Sequence, residues 1–123
     1  MYKESVIEIN KVIEKYFNGI FYGDVDLLAE VFHPRALLFG DINGQPYLKN
    51  NEEYLEGVKN RKSPAELGET LRSKIVALEI QNGIATARLS TPIFEYNYHD
   101  YLSLNRINEK WWIVSKLFTH VNS

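Results

Sequence analysis

The chain has 123 residues, of which 45% are hydrophobic, 13% aromatic and 24% charged; this suits one domain, which at that size hides roughly two thirds of its unfolded surface, and excludes disordered, collagen-like and low-complexity classes. Fourteen Lys and Arg against sixteen Asp and Glu give a formal charge of -2, so no broad positive field draws nucleic acid through its phosphates. With no cysteine, disulfides, thiolate metal sites and cysteine nucleophiles are excluded.

Lys3, Glu4 and Glu8 interrupt the apolar residues of the N-terminus, and no signal-peptide core or membrane span is expected. The expectation is a soluble cytoplasmic protein. From Val6 onward Ile9, Ile13, Phe17 and Ile20 recur every three or four residues with charges between them, which predicts an amphipathic helix. Gly23-Asp24 ends it, and the Asp24 side chain can cap a second short helix carrying Leu27, Leu28, Val31 and Phe32. His33-Pro34 stops that helix, because the residue before proline is pushed out of the helical region. Arg35 to Phe39, the turn-rich stretch from Asp41 to Pro46, and Tyr47-Leu48 predict a small hairpin. Asn50 with Glu53 forms a capping-box pattern ahead of a third helix striped by Tyr54, Leu55 and Val58. Asn60 to Gly68 is polar and predicts an exposed loop.

The period then changes. Val76, Leu78 and Ile80 alternate with Ile75, Ala77 and Glu79, and Asn82-Gly83 is a strong hairpin signal. A two-residue turn there pairs Ile80 with Ala85, Leu78 with Ala87 and Val76 with Leu89 on one face, and Glu79 with Thr86, Ala77 with Arg88 and Ile75 with Ser90 on the other. Pro92 predicts a bend or bulge. Two more strands follow, Phe94 to Ile107 and Lys110 to Val121, joined through Asn108-Glu109. Helices, a small hairpin, a helix and four long strands define an α+β protein with three helices packed on one face of a strongly curved, mostly antiparallel sheet. One domain over residues 1–123 is expected.

Tyr16-Phe17-Asn18-Gly19 with Gly23-Asp24, Phe32-His33-Pro34 with Ala36, Asp100-Tyr101-Leu102 with Leu104, and Trp111, Ile113 and Ser115-Lys116 with Phe118 occur in this order. On these residues the chain resembles the putative lumazine-binding family, a polyketide-cyclase-like branch of the nuclear transport factor 2-like superfamily, over nearly its whole length. It departs from the family pattern at Arg35, where an acidic residue is usual, and at Glu109, where a turn glycine is usual. The resemblance implies a cystatin-like cone whose helices close over a bent sheet, an apolar pocket at the open end, and a homodimer through the outer sheet face. Ile75, Ala77, Tyr101, Trp112 and Val114 could supply apolar surface to such an interface.

Phe94, Tyr96, Tyr98 and Asp100 share one face of a strand if no bulge intervenes, setting one carboxylate beside three rings. Apolar surroundings favour the protonated form of a carboxylate, which would suit Asp100 to general acid or base work; the competing reading is a structural carboxylate bonded to backbone or to Lys116. A turn at Asn108-Glu109 sets Lys116 opposite Tyr101 and diagonal to Asp100, where it could form a salt bridge, sit at the sheet rim, or bind an anionic or carbonyl-bearing ligand. His33 is the best-placed histidine for catalysis, between the second helix and the first strand, although His33-Pro34 serves equally as a plain helix stop. Tyr16, Phe32 and Tyr54, with Phe39, could line the pocket or simply fill the core. Trp111 and Trp112 must face opposite ways, one into the core. The histidines share no ligand spacing, and no phosphate loop or serine elbow is present, so neither metal nor cofactor is expected.

The expected function is a dimeric pocket protein that binds a small, ring-containing hydrophobic molecule. Cofactor-free isomerase, cyclase or dehydratase chemistry could accompany binding, with Asp100 moving the proton and Tyr98 or Tyr16 holding an oxyanion. The alternative is a non-catalytic dimeric association module with a filled interior. Binding of a lumazine-like ring follows from the family's label alone.

Overall fold

The computed structural model describes residues 2–121. Helices α1 (Tyr2–Tyr22), α2 (Val25–Val31) and α3 (Asn51–Asn60) cover one face of a six-stranded sheet made of β1 (Phe32–Ile42), β2 (Gln45–Asn50), β3 (Lys74–Gln81), β4 (Ile84–Ile93), β5 (Tyr96–Ile107) and β6 (Lys110–His120). The spatial order is β2-β1-β6-β5-β4-β3. All neighbours are antiparallel except β1 and β6, whose parallel pairing attaches the N-terminal hairpin to the last strand.

Local signals account for most boundaries. The Leu27 N–H donates to Asp24 Oδ1 at 3.1 Å, starting α2. That helix ends at Val31, so Phe32 is not its last residue but the first of β1, paired with Ile113. Asn50 and Glu53 form the reciprocal capping box at α3. The α1–α2 crossing is close: a Cβ on Gly19 would meet Leu28 Cδ2 at 2.5 Å. The core between helices and sheet takes Ile9, Ile13 and Tyr16 from α1, Leu28 from α2, and the inward residues Leu89, Leu102 and Ile113 from the strands.

The loop over 61–73 is less exposed than its composition suggests. Ser63 and Pro64 are buried, the Ala65 N–H donates to the Phe21 carbonyl at 3.0 Å, and Ser63 and Glu66 bond each other reciprocally. Ser63-Pro64-Ala65-Glu66 is itself an S-x-x-E capping pattern, which explains why a polar segment folds back onto the α1 end.

Three departures from the alternating pattern shape the sheet. In β3 the register shifts between Ile75 and Ala77: Ile80–Ala85, Leu78–Ala87, Glu79–Thr86 and Ala77–Arg88 pair as expected, but Leu89 meets Ile75 rather than Val76 and Ser90 meets Lys74 rather than Ile75. In β4 Pro92 causes no break; it pairs with Asn97 where β3 has already ended at the Lys74–Ser90 pair, so its missing N–H deprives no neighbour of a bond. The chain turns one step later, at Phe94 and Glu95 (φ 55° and 65°), which places Phe94 in a turn and not in the strand it was expected to begin. In β6 a shift between the Ser103–Ser115 and Leu104–Ile113 pairs leaves Val114 extra. Such bulges bend the strand that carries them. The Asn108-Glu109 turn forms with φ 52° and 66°, so glutamate occupies the left-handed position without changing the connection.

Candidate functional site

The extra residue in β6 decides which way Lys116 points. Uninterrupted pairing would have set it opposite Tyr101, whose side chain faces outward and is 53% exposed. The bulge moves Lys116 opposite Leu102, on the inner face, and Asp100 opposite Phe118. Lys116 and Asp100 are thus diagonal neighbours on the face beneath the helices, and both are buried.

The two charges do not pair directly among the described residues. Asp100 Oδ2 accepts a 2.5 Å hydrogen bond from the Tyr16 hydroxyl, carried by the buried face of α1. The Lys116 ammonium lies 3.4 Å from the Tyr54 hydroxyl of α3 and 5.2, 5.0 and 4.9 Å from the ring centres of Tyr16, Tyr54 and Phe118. Rings held at this distance attract a cation through their negative faces, most strongly where water is excluded. Phe118 reaches this place because β1 carries no side chain beneath it: a Cβ on Gly40 would meet its ring at 2.6 Å.

Between this floor and the open end lies a hollow of about 90 Å³. Tyr54, Phe94, Tyr98, Asp100 and Lys116 line it, together with Ile20, Ile42, Tyr47, Arg61, Thr91, Ile93 and Phe118. The floor is polar and charged, and the walls are aromatic and aliphatic. At the mouth the left-handed backbone at Phe94 is held by Glu69, both of whose carboxylate oxygens accept from the Phe94 N–H at 3.1 and 3.0 Å, while the Arg61 guanidinium stands 4.9 Å from the Phe94 ring centre. Non-glycine residues adopt such a conformation where surrounding contacts impose it, and these positions concentrate at binding sites.

Burial, and then the charge of Asp100, push the Tyr16 hydroxyl well above its ordinary pKa. Burial also raises Tyr47 to about 12 and raises Tyr98. Their hydroxyls remain protonated through neutral pH; Tyr16 donates to Asp100, while Tyr47 and Tyr98 can donate to a ligand.

The expected site residues divide into two sets. Tyr54, Phe94, Tyr98, Asp100 and Lys116 surround the hollow; Tyr16 stands behind Asp100 and orients it. Phe32 lies deeper, fully buried, with its ring 5.8 Å from that of Tyr16 and 5.5 Å from that of Tyr54, so it packs the floor and is not a wall. His33 is absent from the hollow: its Nδ1 accepts from the Arg35 N–H at 3.0 Å and its ring lies 5.4 Å from that of Trp112. Phe39, 43% exposed, points outward from β1. Trp111 enters the core, whereas Trp112 stays on the outer side with the Lys110 ammonium 3.8 Å above it. Among the described residues no three of His, Asp and Glu converge as a metal site would require.

The residues missed were Tyr47, Phe118 and Arg61. Phe118 follows Lys116 by two positions and shares its face, so period two would have found it. Arg61 stands in the segment expected to be an exposed loop.

A helix-covered sheet with a hollow at its open end defines the nuclear transport factor 2-like class. The chain is similar to a solved NTF2-like protein of unknown function from Silicibacter pomeroyi DSS-3, with 19% identity over 98% of this chain and 99% of that one and a TM-score of 0.88. It is also similar to an NTF2-like protein of unknown function from Shewanella baltica OS155, with 22% identity over 100% and 98% of the two chains and a TM-score of 0.86. A cystatin-like fold protein from Burkholderia xenovorans LB400 matches with 11% identity over 96% and 92% and a TM-score of 0.70. The model of the family described as "Putative lumazine-binding" matches residues 4–119, and the chain belongs to that family. No curated protein matches it. No helix among the described residues is long and apolar enough to cross a membrane.

Proposed function

We propose that this protein binds a small molecule in the hollow, with the polar head of the ligand on the Asp100–Lys116 floor and its flat ring against Tyr47, Phe94, Tyr98 and Phe118. One observation carries the reading: a buried carboxylate and a buried ammonium line an unfilled space, where an association module would have packed its own side chains. The same geometry suits cofactor-free proton transfer of the isomerase, cyclase or dehydratase type. Asp100 Oδ2 is occupied by Tyr16, which leaves Oδ1 to take a proton from a bound substrate and return it. Tyr16 then acts as a positioning residue, and the oxyanion falls to Tyr98 or to the Tyr54–Lys116 pair.

The outer sheet face supports assembly with a second copy. Leu37, Phe39, Tyr101 and Leu117 are 47%, 43%, 53% and 53% exposed, an apolar surface of the kind that marks an interface.

A thermal-shift screen of small ring compounds tests the pocket, with each hit mapped by its amide NMR shifts. The expected hits displace the signals of residues 54, 94, 98 and 116. Hits that leave these signals in place overturn the proposal. With a substrate in hand, Asp100→Asn separates turnover from binding: binding persists and turnover is lost.

A further inference from the structure

We infer that the head group selected by this hollow is a single carboxylate, so that the ligand class is a small ring-bearing monocarboxylic acid; this rests on the pocket reading above. The first reason is the ammonium. Lys116 is 6% exposed and has three N–H donors, yet among the described residues its one hydrogen-bond partner is the Tyr54 hydroxyl at a long 3.4 Å. The rings around it balance charge but accept no directed bond, so two donors remain for an oxygen pair entering from the hollow.

The second reason is the sign of the local charge. Lys116 and Arg61 line the space against one lining carboxylate, Asp100, which Tyr16 already holds. Glu69 and Glu53 lie outside the lining, bonded to the Phe94 N–H and the Asn50 N–H. An anion entering past Arg61, which is exposed at the mouth, therefore meets one more lining cation than lining anion and is drawn inward.

The third reason is size. The hollow, about 90 Å³, is small against the roughly 300–1,000 Å³ of pockets that enclose a drug-sized ligand, so it suits a small head group. A carboxylate on the floor leaves a single ring to lie against Tyr47, Phe94 and Tyr98 towards the mouth, where Arg61 stands. A bicyclic lumazine carries no carboxylate head group.

Isothermal titration of the protein with phenylacetate, phenylacetamide and lumazine tests the inference. Phenylacetate is expected to bind the wild type tighter than phenylacetamide by about tenfold or more, the scale of one charge-assisted hydrogen bond. Lys116→Met keeps an unbranched apolar chain among the rings and should erase the acid's advantage, so that acid and amide bind alike. Arg61→Gln, at the exposed mouth, should weaken the acid severalfold and flatten its salt dependence. Equal binding of acid and amide overturns the carboxylate inference and leaves the pocket standing, as does tighter binding of lumazine than of the acid. Failure of all three probes also overturns it, whereas the pocket reading is judged separately by the wider screen.

Discussion

Tyr16→Phe removes one oxygen atom and isolates the group on which the site depends. Tyr16 is fully buried and Asp100 is 1% exposed, and their 2.5 Å bond is the hydrogen bond that Asp100 Oδ2 receives. A hydrogen bond to a charged group contributes about 1.5–3 kcal/mol, and a carboxylate left buried without its donor loses stabilisation at the upper end of that range. We therefore expect a loss of about 2–3 kcal/mol, which for a domain of this size lowers Tm by roughly 8–12 °C. The phenylalanine retains the ring contacts with Phe17 and Phe32, so the loss reports the hydroxyl and not a cavity. Tyr98→Phe serves as the control: its half-buried hydroxyl makes no hydrogen bond among the described residues, and the change is expected within about 0.5 kcal/mol. Urea unfolding at neutral pH measures both. A Tyr16→Phe protein as stable as Tyr98→Phe would refute the coupling of α1 to β5 through this bond.

Alkali should unfold the protein through its tyrosines. Burial raises Tyr16, Tyr47 and Tyr98 above the unfolded value of 10.0, so their contribution is complete below about pH 10 and is lost as pH rises towards the folded values; Tm measured against pH should be level to about pH 9 and then fall, and a level profile to pH 12 contradicts the shifts. Glu69→Ala removes the acceptor of the Phe94 N–H, and hydrogen exchange at Phe94 should quicken by about tenfold or less while the core strands hold; unchanged exchange would show that the latch is not made. Gly40→Ala drives a methyl into the Phe118 ring and should destabilise by about 1–3 kcal/mol in urea, with no change if the ring is free to swing aside. Tyr101→Asp puts a charge on the outer sheet face; light scattering is expected to report a dimer for the wild type and a monomer for the variant, and a monomeric wild type contradicts the proposed assembly.

The helices, the hairpin turns and the inward face of most strands were legible because each is set by short-range chemistry. Asp24 and Asn50 with Glu53 announce caps, and Asn82-Gly83 supplies the left-handed turn residue that fixes the Ile80–Ala85 register. The Phe94-Glu95 turn was not legible, because neither residue favours positive φ and the contacts that impose it come from Glu69 and Arg61, about 25 and 33 positions away in sequence. Nor was the bulge at Val114. The run Trp111-Trp112-Ile113-Val114-Ser115-Lys116 alternates as well without it, yet that one unpaired residue turns Lys116 from the outer face to the inner one. Asp100 was found by its company of rings at period two, and its partner Tyr16 lies 84 positions away on another element. His33 looked functional because a helix-to-strand junction often borders a pocket, but its proline-directed exit turns it against Trp112 on the far side.

A crystal structure of the protein grown with phenylacetate bears most directly on the claim that a charged, open floor lies beneath the helices. The account predicts density for the carboxylate within hydrogen-bond distance of Lys116 Nζ, the ring beside Phe94 and Tyr98, and the Tyr16–Asp100 bond intact. A space closed by the protein's own side chains, with Lys116 turned out to solvent and the acid bound elsewhere, would contradict it.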